Sequence, residues 1–289
     1  MANDYQTVTT VAPTPTHAPT PARRAPNIYY LSPLLAGPLA HWPEIFERIA
    51  RLGFNHVLIA PPFATGPSGD LFLPADYARL DPRLAWNGNA EAGLARAVEH
   101  ANGYGLALLL DVVLDQAAIG SPLATANPDI FEGFDPERAL DPRGPGGNFE
   151  AARIRAGAPE LGSWWAAQIR AWAAIGIGGF RIVAPGSVGV EVLREITRAA
   201  PASLFLGWTA GVSPDHLREA EFDFLFCSLP WWDFQTDWFW AELDVLGRIA
   251  PLIAAPEAPF GPRLATRCHD PALLRPSYCR SLRLAAAIA

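Results

Sequence analysis

Lysine is absent from this chain: all 22 basic residues, against 29 acidic ones, are arginine. They are scattered and the net charge is −7, so no basic stripe is available for nucleic acid. With alanine and proline abundant, the missing lysine points to genomic composition rather than to chemistry. Cysteine is scarce too. Cys227, Cys268 and Cys279 form an odd set without a CxxC pair, which argues against a zinc site and against a disulfide framework in 289 residues. Three buried thiols in a reducing cytoplasm are expected. No run of 18 apolar residues suggests a membrane span, and no basic start with an apolar stretch suggests a signal peptide. No GxGxxG follows the first apolar strand, and neither a cofactor nor a metal is expected.

What is present is material for a core. Half the residues are hydrophobic, including 10 Trp and 15 Phe, enough for one large domain. Residues 1–26, rich in Pro and Thr, are expected to form a disordered or extended tail, with a single domain from 27 to 289. Within that domain, short apolar runs alternate with helical patterns. Strands are expected at 27–34, 55–63, 106–113, 178–184, 203–210, 222–230 and 263–270. Helices are expected at 41–54, 90–105, 163–177, 188–200, 213–220, 237–253 and 275–289. Trp42, Ile45, Phe46, Ile49 and Leu52 share one helical face, and Gly53 ends that helix. Long loops are expected up to about Asn89 and from 114 to about 162.

Strands that are apolar along their whole length are buried on both faces, which indicates a parallel sheet covered by helices. A doubly wound sheet is the generic alternative. A (β/α)8 barrel of the TIM type fits the length better, with about seven units present and the eighth strand missing. The open edges would then be closed by a second copy or by a partner chain.

In a barrel the chemistry sits at the C-terminal ends of the strands. Asp111 and Asp115 close the third strand and its sequel, Arg181 lies within the fourth, and His269 and Asp270 end the seventh. Each of these has an ordinary structural explanation on its own. Arg181 poses the sharpest question. It stands in "GGFRIVAP", an apolar strand with no acid, and a buried guanidinium without a partner is costly. Either its carboxylate comes from elsewhere in the chain, with Asp111 or Asp270 as the expected partner, or something that once stood beside it is gone.

Taken together in this order, these segments resemble the α-amylase superfamily, glycoside hydrolase family 13. "ADYARLDPRLAWNG" is similar to that family's D-Y-x-x-x-D-P stretch, "GLALLLDVVLDQ" stands at its D-x-x-x-N-H, "GGFRIVAP" at its G-F-R-x-D, and "RCHD" at its N-H-D. "NPDIF", "FLGWTA" and "RPSYCRSLRLAAAIA" further resemble the maltose-1-phosphate maltosyltransferases of that superfamily. The resemblance implies Arg181 as the arginine that orients the nucleophile, Asp270 with His269 as the carboxylate that binds sugar hydroxyls, and Asp111 as a supporting acid. Asp76 and Tyr77 would contact substrate. It also implies a nucleophile two residues after Arg181, where Val183 stands, and a general acid where Trp208 stands.

Valine cannot form a glycosyl ester, and an indole cannot shuttle protons at neutral pH. Retaining glycoside chemistry needs two carboxyl groups roughly 5 Å apart. The expected protein is therefore a non-catalytic barrel of α-glucan metabolism, acting as a glucan-binding or structural partner. Trp231 and Trp232, in "WWDFQTDWFW", offer faces for a maltooligosaccharide, although helix-on-barrel packing is the ordinary explanation of such a stretch. The alternative is an active glycosidase or maltosyltransferase with relocated acids, drawn from Asp111, Asp115 and Asp270.

Overall fold

The computed structural model describes residues 26–133, 150–208 and 214–226. The chain enters through strand β1 (Ile28–Leu31), a helical turn α1 (Pro33–Ala36) and helix α2 (Trp42–Arg51), then strand β2 (His56–Ile59). Next come β3 (Phe63–Thr65), β4 (Pro74–Leu80), α3 (Ala90–Gly103) and β5 (Ala107–Val113). They are followed by β6 (Gln116–Ala118), α4 (Pro122–Ala126), β7 (Phe131–Glu132), β8 (Ala151–Ile154) and α5 (Leu161–Ala174). The last elements described are β9 (Gly179–Val183), α6 (Val190–Arg198), β10 (Leu204–Trp208), α7 (Pro214–Glu219) and β11 (Phe224–Phe226).

Six strands form one sheet in the order β1-β2-β5-β9-β10-β11, every neighbouring pair parallel. Sheet order follows chain order, and helices α2, α3, α5, α6 and α7 lie between successive strands in the chain. This is the arrangement of an incomplete (β/α)8 barrel. The expected strand 263–270, the helices at 237–253 and 275–289, and the tail up to residue 25 lie outside the described residues.

The sheet has two apolar faces. Trp42, Phe46 and Ile49 of α2, Leu94 and Val98 of α3, Trp165 and Ile169 of α5, and Leu193 and Ile196 of α6 pack with Val57, Leu108, Leu110, Phe180, Ile182 and Phe205 in one large core. On the opposite face Leu58, Leu109, Leu206 and Phe224 form a separate cluster, joined by Ile28, Tyr30 and Leu204. Alternation along β5 and β9 sorts side chains between the helix-covered face and the barrel interior. β9 and β10 approach closely enough that a Cβ at Gly179 would lie 2.6 Å from the Leu204 carbonyl, so glycine is required there.

Three details depart from the sequence reading. The first strand ends at Leu31 because Ser32-Pro33 opens α1, with proline at the helix start where its missing N–H is harmless. Leu52 is 58% exposed, since it caps α2 after the last turn and has swung off the buried face. The two expected loops contain further strands: β3 and β4 pair antiparallel, and β6, β8 and β7 form a three-stranded antiparallel sheet. Their residues (Gln-Ala-Ala, Ala-Ala-Arg-Ile, Pro-Ala-Asp-Tyr) have little intrinsic strand preference, so long-range pairing creates them.

Candidate functional site

The interior face of the sheet carries a polar layer between two apolar ones. Asp111 of β5 and Arg181 of β9 are directly opposite in the parallel register. Arg181 Nε and Nη2 each donate 2.6 Å hydrogen bonds to the two carboxylate oxygens of Asp111, a bidentate fork. Tyr30 of β1 donates its hydroxyl to Asp111 Oδ2 at 3.1 Å, and the guanidinium carbon lies 4.8 Å from the centre of the Tyr30 ring. The arginine thus meets an acid from the neighbouring strand, Asp111, one of its two expected partners. Asp270 lies outside the described residues, as do His269, Trp231, Trp232 and the three cysteines.

Burial decides the electrostatics of this layer. The Asp111 side chain is fully enclosed, and burial pushes its carboxyl above the ordinary range against the pull of Arg181 and of the Tyr30 hydroxyl. Burial together with the Asp111 charge drives the Tyr30 phenol well above its usual value, so it keeps its proton at neutral pH. Burial opposes the charge on Arg181, yet Asp111 and Tyr30 hold its pKa above that of a free guanidinium.

One step toward the C-terminal ends of the strands, the interior turns apolar again. Val183, opposite Val113 in the register, is 4% exposed and packs in one cluster with Leu34, Ala60, Leu71, Phe72 and Val113. Immediately after it Ala184 takes the left-handed conformation, φ +57°, an unusual one for alanine, and its carbonyl accepts from the Ser187 hydroxyl at 2.6 Å. Trp208 ends β10, in register with Phe226.

Asp115 sits just beyond β5, buried, with Arg153 of β8 at 3.6 Å. Gln116, wholly buried, accepts from Arg153 Nη1 at 2.6 Å and donates to the Phe72 carbonyl at 3.0 Å. Tyr77 packs against Phe63 and the α5 tryptophans Trp165 and Trp172, and its hydroxyl donates to the Val113 carbonyl at 3.4 Å. Asp76 is half-buried and accepts from the Ala78 amide at 2.8 Å. The layer therefore unites Asp111 and Arg181, while Tyr77 and Asp76 are engaged in the β3–β4 hairpin and its packing. Sequence reasoning passed over Tyr30, Gln116, Arg153, Leu71 and Phe72. Only Tyr30 left a trace, as a polar-tipped side chain in the first apolar strand.

Among the described residues no group of three or more His, Cys, Asp or Glu is placed to hold a metal ion, and no helix is long and apolar enough to cross a membrane.

No family model matches the chain. Over 282 residues it is 35% identical to the α-1,4-glucan:maltose-1-phosphate maltosyltransferase of Burkholderia pseudomallei, a match covering 91% of this chain. Solved structures repeat the fold: an α-amylase from Lactobacillus plantarum matches with a TM-score of 0.61 at 18% identity, over 82% of this chain and 60% of that one. The chain belongs to the α-amylase superfamily. A maltogenic α-amylase from Thermotoga neapolitana gives a TM-score of 0.56 at 19% identity, over 69% of this chain and 48% of its own. This α-amylase-superfamily barrel spans only 24% of the length of the maltosyltransferase it matches.

Proposed function

We propose that this barrel is catalytically silent and serves α-glucan metabolism as a structural or glucan-binding partner. The observation that carries the reading is Val183. It stands where the superfamily resemblance puts the nucleophile, and it is buried in an apolar layer beside the Arg181–Asp111 pair. Glycosyl transfer with retention needs a nucleophilic carboxylate and a general acid on opposite sides of the bond. Val183 supplies neither, and Trp208 at the acid position has no proton to give near neutral pH.

The competing reading, with Asp111, Asp115 and Asp270 as relocated acids, has less support. Both oxygens of Asp111 are held by Arg181, one also by Tyr30, and Asp115 faces Arg153. Glucan contact would fall to Asp270, His269, Trp231 and Trp232 in a domain spanning 27–289. The setting would be the cytoplasm, with a second copy or a partner chain closing the barrel.

The test is turnover. Purified protein is expected to leave maltose 1-phosphate and maltooligosaccharides unchanged under conditions in which an active maltosyltransferase consumes them. Turnover that disappears in Asp111→Asn or Asp270→Asn would overturn the silent reading. Tryptophan quenching on titration with maltooligosaccharide, lost in Trp231→Ala/Trp232→Ala, would select glucan binding over a purely structural role.

A further inference from the structure

The eight residues 66–73 that join β3 to β4 start at the surface and turn inward from Asp70. Loops normally run over the outside and keep their polar backbone in water. Here Leu71, Phe72 and Leu73 are 2%, 4% and 0% exposed. Leu71 and Phe72 join Leu34, Ala60, Val113 and Val183 in the apolar cluster at the C-terminal end of the barrel interior. In the register that cluster lies one step beyond Asp111 and Arg181, on the side from which a ligand enters a barrel.

The loop is fastened at several points. Gln116 reaches it from β6 and holds the Phe72 carbonyl, while Arg153 holds the other end of the Gln116 amide. Arg83 donates to the Gly69 carbonyl at 2.8 Å, and Glu150 accepts from the Ser68 amide at 3.1 Å. Asp70, itself buried, accepts from the Phe72 amide at 2.9 Å and so folds the tip inward.

We propose that residues 66–73 form an intramolecular stopper. Leu71 and Phe72 occupy the part of the barrel mouth bounded by β1, β2, β5 and β9, over Val183 and the enclosed Asp111, and Gln116 is the latch that holds them there. The proposal rests on the reading of this mouth as a non-catalytic one and adds the means of its closure. It also gives Gln116 a definite task. An amide with no exposed surface, held at its oxygen by an arginine and at its nitrogen by a loop carbonyl, sets the position of that loop.

The experiment uses the full chain and a thiol placed behind the stopper. Val183→Cys is treated with N-ethylmaleimide, and labelling at position 183 is resolved from the native cysteines by peptide mass mapping. Ile182→Cys, on the helix-covered face, reports general loosening, and Leu52→Cys reports free access. With the loop intact, position 183 is expected to label far more slowly than position 52. Adding Gln116→Ala removes a buried hydrogen bond, which corresponds to an increase of about tenfold in opening. That increase is expected at 183 and not at 182.

Labelling at 183 as fast as at 52 with the loop intact would overturn the proposal. So would an equal rise at 182 and 183, which marks global loosening. If neither Gln116→Ala nor the Leu71→Ala/Phe72→Ala double change accelerates labelling, the loop is not the barrier and the proposal fails. Turnover of maltose 1-phosphate by the unsubstituted chain tests the silent reading separately, so the two can fail independently.

Discussion

Arg181 and Asp111 are worth most to the molecule as a pair, because removing either leaves the other's buried charge without its bidentate counterpart. Breaking a buried ion pair from one side costs about 3–5 kcal/mol, whereas replacing both partners by apolar groups of similar size is often close to neutral. Asp111→Ala is therefore expected to lower unfolding stability by about that amount, and Arg181→Leu/Asp111→Leu by much less, in a urea-denaturation cycle. A double variant as unstable as the sum of its parts would show that each residue serves something other than its partner. The need for this pair was legible in the sequence, since an arginine amid Gly, Phe, Ile and Val demands an acid. That Asp111 supplies it follows from strand register, and that Tyr30 completes it follows from β1, two strands away in the sheet; neither relation is local.

The β3–β4 hairpin shows how elements escape a sequence reading. Asp81, just after β4, accepts from the Arg83 amide at 2.9 Å, from Arg83 Nε and Nη2 at 2.8 Å each, and from the Thr65 hydroxyl at 3.1 Å. One carboxylate thereby joins both strands to the turn that follows. Burial alone would raise its pKa, but the Arg83 and Thr65 hydrogen bonds and the Arg83 charge bring it below the ordinary 3.8. A depressed carboxyl contributes stability above its unfolded pKa and loses it as the pH falls through the folded value. Asp81→Asn is expected to cost about 2 kcal/mol at neutral pH. The gap from the unsubstituted protein should close as the pH drops below 3.8, measured by denaturation at pH 7 and pH 3. A gap that persists undiminished in acid would mean that shape, not charge, holds the turn. Helices α2, α3, α5, α6 and α7, by contrast, are readable to within a few residues, whereas the short α1 and α4 are not. α2 and α3 carry apolar stripes, and Asn89 caps α3 by accepting from the Ala92 amide at 2.8 Å.

At the scale of the whole molecule, the alternation of strands and helices was visible because each barrel strand is apolar on both faces. The small antiparallel sheet was hidden because its strands are short and rich in alanine. Among the described residues β1 and β11 each have one paired side. A chain ending at Phe226 would leave the outer side of β11 with no downstream segment to pair with it, and exposed parallel edges promote association. Such a truncation is expected to elute as oligomer or aggregate in size-exclusion chromatography, and a well-behaved monomer would show that the six-stranded sheet is self-sufficient. The polar layer has one more consequence. Sliding β9 by two residues along β5 would keep every side chain on its proper face and still put Arg181 opposite Leu109 or Val113. That misalignment would bury both charges without the bidentate fork that joins them. The pair thus works as a vernier mark for the closing barrel, rejecting the one assembly error that hydrophobicity cannot detect.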